Sequence, residues 1–327
     1  MSELRSNTAL LLVTLLFVSG VSPLLLTTGA ESEEINEVLP YNAGGVVIGD
    51  LADFDLEMGS QYLMFEEEQP IVSAFSFMKE AWIEAGRPGV DDMTYESQTS
   101  ARAGGRACNA HVVNDELTVP TSGGSVDTYV AKTTNTVAFL VQSGRSLTST
   151  VLNNLAASWD QTIYPTMTTY YGKDYQDGRG LAPPDVDNNC QVQIVIYDID
   201  GAYNIGGYFA PSLSSSREAL YVDYADVTLS WGKSILAHEL EHLLHNAQDP
   251  YEKLWIDEGN ADVAIYLCFG ADSTLVSHLN QWTQSSEISV RWWNQRFADY
   301  GAGFIFTMYL ADHLGGGPAV RQLVQYS

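Results

Sequence analysis

Basic residues are scarce in this chain. Its 327 residues hold 15 Lys and Arg, of which five are Lys, against 41 Asp and Glu, for a net charge of −26. That balance argues against nucleic acid or an anionic membrane as a partner and fits a surface kept soluble by carboxylates. Cysteine is scarce too. There are three, and no CxxC pair, so no cysteine-based metal site is written in the spacing. In an oxidising compartment Cys108 and Cys190 can pair, while Cys268, inside the apolar stretch 263–269, reads as an unpaired core residue. Beyond residue 30 no apolar run is long enough to cross a bilayer. Internal repeats are lacking as well.

Apolar residues make up 45% of the chain, enough for a sizeable core. The first thirty residues have the layout of an export signal. Arg5 precedes the apolar run 9–18, a second run covers 24–26, and Thr28-Gly29-Ala30 offers a small-residue cleavage site. Ser19, Gly20, Ser22 and Pro23 interrupt the run, which favours a cleaved signal peptide and a secreted protein. An uncleaved membrane anchor is the alternative. Removing residues 1–30 takes away Glu3 and Arg5, so the charge is unchanged.

Residues 31–106 form an acidic, irregularly patterned segment, with Glu66-Glu67-Glu68, expected to be a propeptide or an accessory region. The small, polar, glycine-containing stretch 97–107 marks a boundary. Residues 107–327 read as a folded domain. Stretch 128–141 is β-rich, and 148–164 has helical spacing, with Val151, Leu152, Leu155 and Trp159 on one side. Segments 191–197 and 219–224 read as strands, and 233–247 as the best-defined helix, stopped before Pro250. Helices are expected at 258–269 and 302–314, and 319–327 looks like a helix cut short. Strands followed by helices indicate an α+β fold.

The helix at 233–247 carries His238-Glu239-Leu240-Glu241-His242. Residues i and i+4 of a helix share a face about 6 Å apart, so His238 and His242 can address one ion. Glu239, turned by about 100°, reaches the open side, where it can take a proton from a bound water. Leu236, Leu240, Leu243, Leu244 and Ala247 gather on the opposite side, so one face is expected in the core and the other on a cleft. Catalytic zinc needs a third protein ligand, and Glu258, in Trp255-Ile256-Asp257-Glu258-Gly259-Asn260-Ala261-Asp262, is the candidate. Asp262, one turn further on the same face, can orient a ligating histidine, with His238 the favoured partner. Rival ligands are weaker. His245 lies about 10.5 Å along the axis from His238 and is expected on the cleft wall or the surface. Asp249 and Glu252 sit in a turn around Pro250.

These residues resemble the glutamate-zincins, the class of the thermolysin-like proteases and the zinc aminopeptidases. Glu258 followed by Asp262 matches the first group, and Trp255 to Gly259 is close to the pattern of the second. Upstream, the stretches 195–201, 206–211 and 220–223 are similar to the hyicolysin type of neutral metalloprotease, and residues 135–314 carry the likeness. The resemblance implies a zincin-like domain with a twisted sheet, an active-site edge strand at 220–224 and a helical C-terminal part. It also implies a bound Zn2+, protein or peptide substrates, Glu239 as general base and Tyr300 as a donor to the oxyanion. Two features depart from the family. Only fifteen residues separate His242 from Glu258, and His245 and Gln248 stand where an extended HExxHxxGxxH motif has Gly and His. An aminopeptidase or another zinc hydrolase, and a binding protein on an inactive zincin fold, remain as alternatives. Asp185-Val186-Asp187-Asn188-Asn189 and Asp198-Ile199-Asp200-Gly201 are oxygen-rich enough for calcium, yet neither matches an EF-hand loop and acidic turns have the same composition.

Overall fold

A computed structural model of the chain describes residues 71–87, 108–202 and 204–325. The export signal expected at 1–30 and the boundary stretch 97–107 lie outside these residues. Among the described residues no helix is long and apolar enough to cross a membrane.

The fold is mixed α+β. Seven strands form one sheet in the order β1-β8-β9-β7-β4-β3-β2. They are β1 (Ile71–Ser73), β2 (Glu116–Thr121), β3 (Gly124–Thr133), β4 (Val137–Gln142), β7 (Val192–Tyr197), β8 (Ile205–Phe209) and β9 (Ala219–Asp223). Strands β5 (Lys173–Asp174) and β6 (Leu181–Ala182) make a separate pair. β4, β7 and β9 run parallel, as does β1 on β8, while β8 is antiparallel to β9. The central strands β4 and β7 are buried on both faces and read as near-continuous apolar runs, as parallel strands do. Val137, Phe139, Val141, Ile194 and Ile196 face the helices, and Ala138, Leu140 and Val195 the opposite side.

The helices are α1 (Phe75–Glu84), α2 (Ser149–Ser158), α3 (Tyr164–Tyr171), α4 (Gly232–Asn246), α5 (Leu254–Phe269), α6 (Ser273–Gln284), α7 (Phe297–Leu314) and α8 (Gly317–Leu323). A π-helical turn, Trp159–Ile163, joins α2 to α3. Helix ends follow local chemistry. Asp272 caps α6 by accepting the Leu275 amide at 3.0 Å, and α7 ends on Gly315 in the left-handed region. Helix α5 begins four residues before the pattern indicates, and α7 five.

One expectation about the sheet is corrected. The edge strand was expected at 220–224, yet β9 lies between β7 and β8. The strand beyond it, β8, carries Gly206-Gly207 and so lacks the apolar alternation that announces a strand. Gly207 is needed there because a Cβ would come within 2.7 Å of Ile235 Cγ2 and of the Tyr221 carbonyl oxygen. Gly207→Ala is expected to lower stability by about 1–3 kcal/mol, read as a shift of the denaturant midpoint. The sheet also takes in residues that precede the expected boundary at 106. Residues 71–87 belong to the acidic segment by composition, but β1 extends the main sheet and α1 packs beside β8.

Cys108 and Cys190 are disulfide-bonded, with Cα atoms 5.6 Å apart, and Cys268 is free in α5. Burial pushes the Cys268 thiol up to about 12, so it stays protonated and inert.

Candidate metal centre

α4 presents its histidines toward α5, and α5 packs on α7 with backbones in close approach. A Cβ on Gly259 would meet the Gly303 carbonyl oxygen at 2.8 Å and Thr307 Oγ1 at 2.6 Å. This contact seats Glu258, the preceding residue, opposite α4. His238, His242 and Glu258 each bring one ligand atom within 4.8 Å of the others. Glu258 Oε2 is 3.2 Å from His238 Nε2 and 3.5 Å from His242 Nε2. Tetrahedral zinc with bonds of about 2.0–2.1 Å separates its ligands by about 3.4 Å. The donor set therefore fits the ion in type and spacing. His242 Nδ1 lies 3.5 Å from Glu241 Oε2, and the buried Nε2 makes no well-formed hydrogen bond, which also suits a cation there.

The surroundings set the protonation states. Burial holds His242 down at about 4, the neutral form that a ligand needs. Burial alone would lower His238 as well, but Asp262 and Glu258 hold it well above 6.5 in the absence of an ion. Burial raises Glu258, and His242 and His238 more than reverse this, so its carboxyl lies below the usual range. Asp262 Oδ1 stands 3.4 Å from His238 Nδ1, the nitrogen turned away from Glu258, and Asp262 Oδ2 bonds His278 Nδ1 at 2.7 Å. The structure thus places Asp262 beside the histidine favoured from the sequence. Glu239 is fully buried, and neither of its oxygens makes a well-formed hydrogen bond, although Ser73 and the Phe209 backbone approach it. Burial pushes it up to about 8.

The chain resembles a metalloprotease. The neutral metalloprotease ShpI of Staphylococcus hyicus is 26% identical over 212 residues, which cover 55% of this chain and 46% of that protein. The chain thus spans about half the length of the curated relative it matches. No family model matches it.

Tyr300, in the first turn of α7, is buried with its ring 6.1 Å from that of His238. It is packed between His278 and Trp293, and its hydroxyl donates weakly to the Ser73 carbonyl at 3.4 Å. The contact with Ser73 belongs to a larger feature that the sequence did not reveal. β1 and α1 cover the centre. Phe75 stacks on His242 with ring centroids 3.7 Å apart, Ser76 donates to Glu258 Oε1, and the buried Lys79 pairs with the buried Asp257. Trp293 Nε1 donates to Ser76 Oγ at 3.0 Å. His238, Glu239, His242 and Glu258 are all 0% exposed. The cleft face expected for α4 is therefore closed, because the N-terminal residues fill it.

A second trio lies alongside the first: Glu241, His245 and Asp257. His245 was expected on a cleft wall or the surface. It is instead fully buried, with Nδ1 3.1 Å from Glu241 and 3.0 Å from Asp257. Counting apolar residues alone hides this, although Glu241 and His245 have the i, i+4 spacing that would reveal it. Burial works against the charged imidazole, but Asp257 and Glu241 overcome it and hold His245 up at about 10. A His with its folded pKa raised stabilises fully below its unfolded value of about 6.5 and loses that contribution as pH rises through about 10. Glu241, raised by burial to about 7, also lowers stability as pH rises, but over the lower window from about 4.5 to about 7. The urea midpoint is therefore expected to fall between pH 7 and pH 10, and His245→Gln to reduce that slope. An equal slope in the variant would remove His245 from this account. The rivals Asp249 and Glu252 join neither trio.

The two acidic loops differ. Asp198 pairs with Arg145, and Asp200 Oδ1 accepts the Ile205 amide at 3.2 Å. Asp185 and Asp187, by contrast, form a third trio with Glu218. Burial, then the charges of Asp187 and Asp185, push Glu218 up to about 8.

Proposed function

We propose that this chain is a secreted zinc-dependent endopeptidase, with a zincin-like domain, in which His238, His242 and Glu258 hold the ion and Glu239 is the general base. The observation that carries this reading is the convergence of both imidazoles and the Glu258 carboxylate at separations of 3.2 and 3.5 Å. When bound, zinc supplies an acidified water and polarises the scissile carbonyl. The chain's own groups do the rest. Asp262 fixes the ring of His238 through its far nitrogen. Glu239, buried beside the ligands, would as its carboxylate take the proton of the attacking water and return it to the leaving amine. The Tyr300 hydroxyl, once free of the Ser73 carbonyl, donates to the developing oxyanion. The edge of β8, once β1 has left it, receives an extended peptide.

For that to happen residues 71–87 must leave, and their contacts support reading the acidic N-terminal segment as a propeptide. β1 takes the place on β8 that a substrate strand would take, and Phe75 and Ser76 rest on two of the ligands. Export by the 1–30 segment and protein or peptide substrates belong to the same reading.

Purified protein should carry about one zinc per chain, lost in Glu258→Ala, and a chelator should abolish cleavage of peptides with an acetylated N-terminus. Full zinc content in Glu258→Ala would overturn the ligand set. Cleavage limited to free N-termini would favour the aminopeptidase alternative.

A further inference from the structure

Outside the metal centre, the trio of Asp185, Asp187 and Glu218 is unlike an acidic turn on a surface. Asp185 and Glu218 are each 2% exposed. The three carboxyl groups come from two separate parts of the chain, the loop before β7 and the residue that precedes β9, and one oxygen of each lies within 4.8 Å of the others. Their remaining oxygens are tied back. The Cys190 amide donates to Asp185 Oδ1 at 3.2 Å, and the Asn189 amide to Asp187 Oδ1 at 3.1 Å. The Asn189 and Gln193 side chains hold Asp187 Oδ2, and the Val186 amide donates to Glu218 Oε1. Glu218 Oε2 is buried and has no hydrogen-bond partner. A buried carboxyl oxygen left bare beside two further carboxyl groups is costly unless a cation meets it.

The geometry points to a calcium site in which Asp185, Asp187 and Glu218 bind the ion and thereby join the β6–β7 loop to β9. All three donors are carboxylate oxygens, the choice of a hard cation rather than zinc. Calcium–oxygen bonds of about 2.3–2.6 Å allow ligand atoms up to about 5 Å apart, so separations within 4.8 Å accommodate one ion, with waters completing six to eight positions. The site is well placed to matter. Asn188 and Cys190 hold positive φ angles of 65° and 63°, so the loop is bent tightly around the cluster, and the Cys108 disulfide ends on it. Val186 and Glu218 also line a cleft whose other wall is Leu243, Asn246 and Ala247, at the end of α4. Ion binding braces the end of the helix that carries the histidines. This inference is independent of peptidase activity.

The test uses the full chain freed of calcium on a chelating resin, then titrated with CaCl2 in a calorimeter and in thermal melts. Wild type is expected to take up calcium and to gain roughly 5 °C or more in Tm at saturation. Glu218→Gln and Asp187→Asn are each expected to lose one equivalent of calcium and most of that gain. Because Glu218→Gln removes an ionisable group from among buried carboxylates, it should melt no lower than wild type without calcium and below it with calcium. That pattern cannot come from a merely damaged fold. Asp187 is only partly buried, so its variant guards against misfolding of the other. Equal calcium uptake and an equal gain in both variants and wild type would overturn the site, as would a wild-type Tm indifferent to calcium.

Discussion

Glu239→Gln is expected to keep about one zinc per chain while peptide hydrolysis falls by about 10²–10⁴-fold, the range that a positioned general base supplies. The amide has nearly the shape of the carboxylate, and Glu239 is not among the three ligands, so the centre should assemble unchanged. Stability should not fall, because the wild-type carboxyl is already buried without well-formed hydrogen bonds and burial raises it to about 8. Metal analysis, a melt and a peptide assay on one preparation decide the matter. Activity equal to wild type with zinc in place would remove Glu239 from the mechanism.

The second large effect concerns Lys79. Its ammonium and the Asp257 carboxylate are buried together, and removing one partner of such a pair typically costs about 3–5 kcal/mol, because the other charge is left uncompensated. In the full chain that cost has an exit. If α1 lifts away, Asp257 regains water without the domain unfolding. Lys79→Met is therefore expected to release residues 71–87 and raise peptide hydrolysis by about 10²-fold or more, with the melt of the main domain little changed. Hydrogen exchange should rise in 71–87 first. A variant that loses activity and unfolds as a whole would show that these residues are a permanent part of the working domain.

The contrast between these residues reflects what a sequence can display. His238, Glu239 and His242 are legible because helix geometry relates them within five residues, and Glu258 because ligand chemistry demands a third donor nearby. Strands β4, β7 and β9 are apolar runs bounded by turns, and they were readable for that reason. β8 was not, since Gly207 is selected by contact with Ile235 and Tyr221 rather than by a strand pattern. The cover over the centre was invisible for a different reason. Ser76 meets Glu258 across 182 residues and Lys79 meets Asp257 across 178, and no periodicity in an acidic, irregular segment encodes such pairings. Asp262 shows a middle case. Its spacing from Glu258 put it on the right face of α5, but its second partner, His278, comes from α6, a helix the pattern did not announce.

The approach of α5 to α7 at Gly259 and Gly303 has a further consequence. Where two helices meet closely at glycines, neither can rotate or slide freely without a backbone collision, so Glu258 is held by the scaffold rather than drawn in by an ion. With zinc as the proposed ion, the protein should then stay folded when stripped of metal, and activity removed by a chelator should return on simple addition of zinc, without a refolding step.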